Sequence, residues 1–147
     1  RIASDKAVFA ESFVKIGLIP DWGGFDFLTK LVGTSKAMEL MMLGDRIGAS
    51  EAHQLGLVNR VIPDEIFRDE AAKLARRLAD GPQEALSAIK EGVYRGVEST
   101  LPETLSYEYK TQRRLFLSED AREGMKAFLQ TKSVWLATQP NQPNPFA

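Results

Sequence analysis

The chain has 147 residues, of which 44% are hydrophobic and 27% charged, proportions typical of a globular protein with a sizeable core. The formal net charge of -1 argues against attraction to nucleic acid or an anionic membrane, and no stretch reaches the roughly 20 apolar residues of a membrane-spanning helix. There is no cysteine and a single histidine, His53, which disfavours disulfides, a metal site and a Ser-His triad. These features predict a cytoplasmic protein that binds no metal, nucleic acid or membrane.

The first part of the chain combines short strand and helix patterns. Small apolar groups over residues 1–14 predict strand pieces, and residues 57–62 form the clearest strand pattern. Between them, apolar periodicity with glycine stops and polar caps predicts three helices. Their predicted bounds are Gly24 to Gly33, Thr34 or Ser35 to Gly44, and Ser50 to Gly56.

The rest of the chain is predicted to be helical. Asp64 is expected to cap a fourth helix, which the Gly81-Pro82 pair ends. A further apolar stripe starts at Ala85, and two long helices follow it. Thr100 and Glu103 have the spacing of a capping box, and Ser118 is placed to cap the last helix.

Strand patterns are too few for a sheet that is stable by itself. Either the protein is all-helical with strand fragments, or the rest of its sheet lies upstream of Arg1. A chain that opens on Arg1, in the middle of a pattern, favours the second interpretation and predicts a fragment or a processed product.

The residues that carry chemistry are expected between Ile16 and Gly24. Pro20 fixes the backbone, and the following glycines permit tight turns, so Asp21 lies at the entrance of a helix beside apolar residues and Trp22. A helix N-terminus favours a charged carboxylate, whereas apolar burial favours a neutral one, a combination suited to proton transfer. From these residues alone, ordinary turn and N-cap chemistry is the first explanation of Asp21, ahead of a catalytic role.

The order of motifs resembles the crotonase superfamily, the enoyl-CoA hydratase/isomerase family. The matching elements are Arg1-Ile2-Ala3-Ser4, Gly17, Pro20, Gly23-Gly24, Val32-Gly33, Ala37-Met38-Glu39, Gly44, Ala49-Ser50-Glu51-Ala52, Gly56-Leu57-Val58, and Glu119-Asp120-Ala121-Arg122-Glu123-Gly124-Met125 with Phe128. They extend over nearly the whole chain except its tail.

The resemblance implies an α/β fold, of which this chain is the C-terminal portion of a ββα spiral, predominantly helical. It implies three regions: residues 1–80 in the spiral core, 81–136 in a helical trimerisation region, and 137–147 as a flexible tail. The implied substrate is an acyl-CoA thioester of fatty acid metabolism, whose coenzyme A is part of the substrate and not a separate cofactor. The implied partner is a second copy of the chain, in a trimer or a dimer of trimers. The oxyanion-hole N–H groups and most of the coenzyme A cleft would lie upstream of Arg1.

The resemblance also assigns the site residues. Relatives that isomerise double bonds carry their single Asp or Glu at the position of Asp21, which makes Asp21 the expected catalytic acid/base. The second hydratase glutamate would fall at Phe13, which cannot activate water, and Glu11 is out of register with it. The residues expected to contact the substrate are Leu18, Pro20, Trp22 and Phe25.

Three functions therefore stay open from the sequence. The first is an enoyl-CoA isomerase that uses Asp21 as a proton shuttle. The second is an enoyl-CoA hydratase, a lyase whose glutamates are partly upstream or replaced. The third is a non-catalytic helical assembly fragment.

Overall fold

The strands form two separate two-stranded sheets. The computed structural model describes the backbone of residues 1–138 and the side chains of residues 1–130. In the first sheet, β1 (Ile2–Ser4) pairs in parallel with β4 (Arg60–Ile62). In the second, β2 (Val8–Phe9) pairs antiparallel with β3 (Ile47–Gly48). The strand pieces predicted over residues 1–14 are confirmed in β1 and β2.

The strand predicted over residues 57–62 is shorter in the structure. The N–H groups of Leu57 and Val58 both donate to the Ala52 carbonyl oxygen, at 2.8 and 3.2 Å, and so complete the end of a helix. The next N–H, of Asn59, donates to the Arg1 carbonyl oxygen at 2.8 Å, and the strand itself extends from Arg60 to Ile62. An apolar run alone cannot show which of its residues complete a helix end and which form a strand.

Four helices belong wholly or largely to the first part of the chain: α1 (Gly24–Val32), α2 (Thr34–Leu43), α3 (Ala49–Gln54) and α4 (Phe67–Ala79). The predicted stops at Gly33 and Gly44 are confirmed. The predicted cap of α2, Thr34 or Ser35, is wrong, because Gly33 occupies the N-cap position. The third helix begins at Ala49, one residue before the predicted Ser50. Gly33 ends α1 and begins α2 with φ 78° and ψ 160°, a conformation that suits glycine and not a side-chain cap.

Asp64 does not cap α4, contrary to the sequence prediction. It opens a short 3-10 turn, Asp64–Ile66, and its carboxylate accepts hydrogen bonds from Ser4 Oγ at 2.6 Å and Lys6 Nζ at 3.0 Å. These two donors, Ser4 first, hold the pKa of the Asp64 carboxyl below its usual value. The side chain therefore joins the end of β1 to the residues after β4.

The chain divides into two compact units, Arg1–Arg77 and a second unit that begins at Leu78. The core of the first unit lies between the strands and helices α1 to α3. Small side chains form its most enclosed part: Ala37, Ala49 and Ala52 are at most 2% exposed, whereas its larger members keep slightly more exposure. Its buried residues are Ala3, Leu28, Ala37, Leu40, Met41, Ile47, Ala49, Ala52 and Val58.

The second unit contains α5 (Gln83–Glu98), α6 (Leu101–Leu115) and α7 (Glu119–Thr138). Tyr107 joins the first two of these helices, since its hydroxyl donates to the Ala88 carbonyl oxygen at 2.9 Å. Two predicted caps are confirmed. Glu103 accepts from the N–H and the hydroxyl of Thr100, at 2.8 and 2.7 Å, and Ser118 Oγ accepts from the Ala121 N–H at 3.2 Å.

The assignment of residues 81–136 to a trimerisation region is not tested by the fold and stays a prediction. Most of the tail over residues 137–147 lies outside the described residues, as does its predicted flexibility. Within the described part of the chain, no helix is both long and apolar enough to cross a bilayer.

Candidate functional site

The chain turns sharply at Gly17, just before the candidate site. Residues Ser12–Ile16 form a 3-10 helix, and Gly17 ends it in the left-handed conformation with φ 74°. The N–H of Leu18 donates to the Phe13 carbonyl oxygen at 3.0 Å, and the N–H of Gly17 donates to that of Val14 at 3.1 Å. This pair of bonds is the Schellman pattern of a helix end. Phe13, the position of the second hydratase glutamate, therefore lies in a helix and not in a strand, and Glu11 lies at the N-cap of that helix.

The 3-10 helix is seated on the C-terminal end of α2. A Cβ atom at Gly44 would lie 3.1 Å from Val14 Cγ1 and 3.2 Å from the Glu11 carbonyl oxygen. Gly44 also has φ 61°, so the backbone conformation and the close approach both require glycine there. The α2 helix thereby fixes where the residues before the site begin.

Asp21 opens a four-residue turn that leads into α1. Its carbonyl oxygen accepts from the N–H of Gly24 at 2.9 Å, and the two central residues, Trp22 and Gly23, have φ 54° and 83°. Two positive φ angles are the signature of a type I′ turn. Gly23 is the N-cap of α1, so Asp21 lies two residues before the cap and the N-cap explanation for it is wrong.

The Asp21 carboxylate has no structural partner within the described residues. No hydrogen bond or ion pair there involves its side chain, and Asp21 is exposed. The acidic residue in the first turn of α1 is instead Asp26, which pairs with Lys30 at 2.9 Å. The turn therefore uses the backbone of Asp21 and leaves its side chain available.

Apolar side chains surround this carboxylate along the chain. Leu18, Trp22 and Phe25, three of the predicted substrate contacts, are 57%, 93% and 54% exposed. Pro20, the fourth, is buried, and a Cβ atom at Gly24 would lie 3.0 Å from its Cβ. Pro20 therefore supports the turn from beneath, and contact of all four with substrate stays a prediction.

A cavity of about 370 Å³ lies in the first unit, and sequence reasoning did not reveal it. Glu11 is the one carboxylate among its lining residues, and the others are apolar. The wall consists of residues from the second sheet and the loop after β2, from α1 and α2, and from Leu57 after α3. Because these residues are far apart in sequence, no local pattern predicts the cavity. Its lining is Val8, Phe9, Ala10, Glu11, Leu28, Leu40, Ile47 and Leu57.

The described residues contain no cluster of three or more His, Asp or Glu side chains that could hold a metal ion. Asp21 and Glu11 are the carboxylates that this part of the chain offers for proton transfer. His53 lies on α3, with Nδ1 3.1 Å from the Val58 carbonyl oxygen.

Comparison with known proteins gives a consistent family. The sequence model described as enoyl-CoA hydratase/isomerase matches residues 1–138. The chain is 40% identical over 132 residues to 1,2-epoxyphenylacetyl-CoA isomerase of Escherichia coli and 39% identical over 132 residues to mitochondrial enoyl-CoA hydratase of Pongo abelii. These matches cover 90% of this chain and 50% and 46% of those proteins.

Solved structures agree with the sequence comparison. The crystal structure of an enoyl-CoA hydratase subunit I from Geobacillus kaustophilus superposes with a TM-score of 0.85 at 45% identity, covering 88% of this chain and 51% of that one. An enoyl-CoA hydratase from Bacillus anthracis gives 0.84 at 30% identity, covering 89% and 51%. The chain thus spans about half the length of the relatives that it matches.

Proposed function

Because the chain belongs to the enoyl-CoA hydratase/isomerase family of the crotonase superfamily, we propose that it is part of an acyl-CoA enzyme that shifts a double bond, with Asp21 as the acid/base. The observation that carries the proposal is the availability of Asp21. The turn fixes its backbone through one 2.9 Å hydrogen bond and assigns its carboxylate no structural role within the described residues. An exposed carboxylate that no described contact uses can exchange protons with a bound acyl group.

The reaction needs one carboxylate that acts twice. Asp21 removes a proton from the carbon next to the thioester carbonyl, and the electron pair of that C–H bond forms a thioester enolate. The carboxylic acid then returns the proton two carbons further along, and the double bond moves into conjugation. The enolate also needs hydrogen-bond donors, such as backbone N–H groups, that stabilise its negative oxygen.

Hydration is the second candidate reaction. It favours two carboxylates that hold a water molecule between them, and the mitochondrial relative is named a hydratase. In this chain, Phe13 stands where the second hydratase glutamate would fall, and Ser12 precedes it. Glu11, which lines the first-unit cavity, is the carboxylate nearest to Phe13 in the sequence. The third candidate is a non-catalytic fragment whose helices serve assembly alone.

The register of the motifs supports the placement of this chain in the C-terminal half of the family fold. Acyl-CoA is the proposed substrate, with fatty acid metabolism as its setting and the cytoplasm as its location. Coenzyme A arrives as part of the substrate, so no further cofactor is proposed.

A homo-oligomer, a trimer or a dimer of trimers, is the proposed assembly. Its support is an apolar groove of about 880 Å³ between α5 and α6, lined by Ile89, Val93 and Phe116 among others. These three side chains are between 57% and 62% exposed, an unusual amount for a contiguous apolar surface. Light scattering at tens of micromolar should show an oligomer, and a well-behaved monomer would contradict this proposal.

The decisive experiment compares Asp21→Asn with Asp26→Asn in the full-length gene product that contains these residues. Asparagine keeps the size of the side chain and the backbone of the turn but cannot carry a proton. Isomerase turnover should fall by about 1,000- to 10,000-fold in Asp21→Asn, because a general acid–base group typically contributes about 100- to 10,000-fold and a sole shuttle lies at the upper end. Acyl-CoA affinity should stay nearly unchanged.

Asp26→Asn is the matched control, since it makes the same chemical change a few residues away in α1, where the carboxylate pairs with Lys30. It should retain turnover within a few-fold. If Asp21→Asn keeps more than a tenth of wild-type turnover, Asp21 is not the shuttle. Loss of 2-enoyl-CoA hydration in Glu11→Gln, with isomerisation spared, would favour the hydratase.

A further inference from the structure

Trp22 has a backbone conformation that tryptophan rarely adopts. Its φ of 54° places it in the left-handed region, and within residues 1–138 it is the sole residue other than glycine with positive φ. For an L-residue with a bulky side chain this conformation is unfavourable by roughly 1–2 kcal/mol. Glycine adopts it freely, and asparagine often does.

The surroundings of the turn enforce this conformation. The Gly24 N–H is bonded to the Asp21 carbonyl oxygen at 2.9 Å, and the buried Pro20 lies directly beneath Gly24. On the other side, the Phe27 ring occupies the space where a Cβ atom of Gly23 would be, at 2.8 Å. Residue 22 therefore has positive φ as the second residue of this type I′ turn.

No contact of the indole within the described residues offsets this unfavourable conformation. Trp22 is 93% exposed, the highest exposure among the large hydrophobic side chains in the described part of the chain. A strained residue persists where its side chain is needed for function, and strain of this kind is found at ligand sites. Glycine would adopt the conformation of the turn without strain, so the turn itself does not explain why residue 22 is tryptophan.

We propose that Trp22 is a specificity-determining residue, whose indole packs against the acyl group of the substrate and favours planar, ring-bearing acyl thioesters over straight saturated chains. The inference rests on the proposed role of Asp21. Consecutive Cα atoms are about 3.8 Å apart, so an acyl carbon within hydrogen-bond reach of the Asp21 carboxylate is also close to residue 22. The indole presents a flat π face, which packs best on another planar group.

The first test measures stability in the 147-residue chain. Trp22→Asn should raise the Tm by roughly 2–6 °C, because it relieves the unfavourable φ and loses almost no packing. Trp22→Gly should raise the Tm by less, because glycine also makes the unfolded chain more flexible. Trp22→Phe keeps the strain and should leave the Tm within about 2 °C of wild type. A lower Tm in both Trp22→Gly and Trp22→Asn would show that the indole stabilises the fold and would overturn the inference.

The second test measures specificity in the full-length gene product. The ratio of kcat/KM for a phenyl-bearing enoyl-CoA to that for a straight-chain enoyl-CoA should fall roughly three- to ten-fold in Trp22→Gly, the range expected for loss of one aromatic contact. Trp22→Phe should retain most of the ratio. An unchanged ratio in Trp22→Gly overturns the inference, whether or not the oligomeric state changes.

The two proposals fail in different ways. If Asp21→Asn abolishes turnover of both substrates and Trp22→Gly leaves their ratio intact, the acid/base role stands and the specificity role falls. If Asp21→Asn retains turnover of both substrates, the proposed function itself falls.

Discussion

Replacement of Gly23 by alanine should destabilise the turn that presents Asp21, by an amount that the structure allows to be divided into two parts. Gly23 has φ 83°, and a Cβ atom there would lie 2.8 Å from Phe27 Cε2. The conformational part is about 1–2 kcal/mol for an L-residue in the left-handed region. Because Phe27 is 57% exposed, its ring can rotate away, and an off-rotamer ring adds about 0.5–1.5 kcal/mol.

Gly17 provides the matched control. It has φ 74°, within ten degrees of Gly23, but a Cβ atom there would meet nothing within 4 Å. Gly17→Ala should therefore lower the free energy of unfolding by the conformational part alone. Alanine restricts the unfolded chain equally in both variants, so this contribution cancels in the comparison. Gly23→Ala should exceed Gly17→Ala by about 0.5–1.5 kcal/mol, the energy of displacing the ring.

Urea denaturation of the single variants and of Gly23→Ala combined with Phe27→Ala measures both parts. In the Phe27→Ala background the ring is absent, so Gly23→Ala should lower the free energy of unfolding by no more than Gly17→Ala does. The coupling energy between positions 23 and 27 should be about 1 kcal/mol. Equal effects of Gly23→Ala and Gly17→Ala, or a coupling energy near zero, would refute the assigned contact between Phe27 and the turn.

Two further predictions concern the second unit. Gly96→Ala should raise the free energy of unfolding by about 0.5–1 kcal/mol, because alanine favours the helix more than glycine does and the added Cβ meets open space in α5. Gly92→Ala should raise it less or lower it, because the added Cβ would lie 3.0 Å from Tyr107 Cε1. Urea denaturation of the two variants measures the difference. The hydroxyl and N–H of Thr100 hold the pKa of Glu103 below its ordinary value of 4.5, so the stability that they contribute is present above that value and lost as the pH falls through the folded pKa. The difference in urea midpoint between wild type and Glu103→Gln should accordingly narrow below pH 4.5, and a constant difference down to pH 2 would contradict this assignment.

Local chemistry allowed the sequence to predict some boundaries and not others. The capping box at Thr100 and the glycine stop at Gly44 each depend on residues within a few positions, so both were predicted correctly. Asp64 was assigned as a cap for the same local reason, yet its carboxylate binds Ser4 and Lys6, almost sixty residues away in sequence. A polar side chain near a helix start can serve either purpose, and only tertiary structure decides between them.

The candidate site shows the same limit. A turn after Pro20 was predictable, because Pro and Gly restrict the backbone in known ways. The positive φ of Trp22 was not predictable, since its residue type argues against it and the conformation belongs to the turn that the Asp21–Gly24 hydrogen bond closes. The first-unit cavity was likewise hidden, because its wall comes from five separate segments of the chain.

At the Asp21 turn, stability and chemistry are assigned to different atoms. The backbone of Asp21 closes the turn, Pro20 and Phe27 fix its position, and no described contact uses the Asp21 carboxylate. Any residue that can place its carbonyl oxygen there would fold equally well, so folding does not explain why residue 21 is acidic. The proposed acid/base role of Asp21 therefore makes no demand that conflicts with the turn. This separation is why Asp21→Asn can test the chemistry without disturbing the fold.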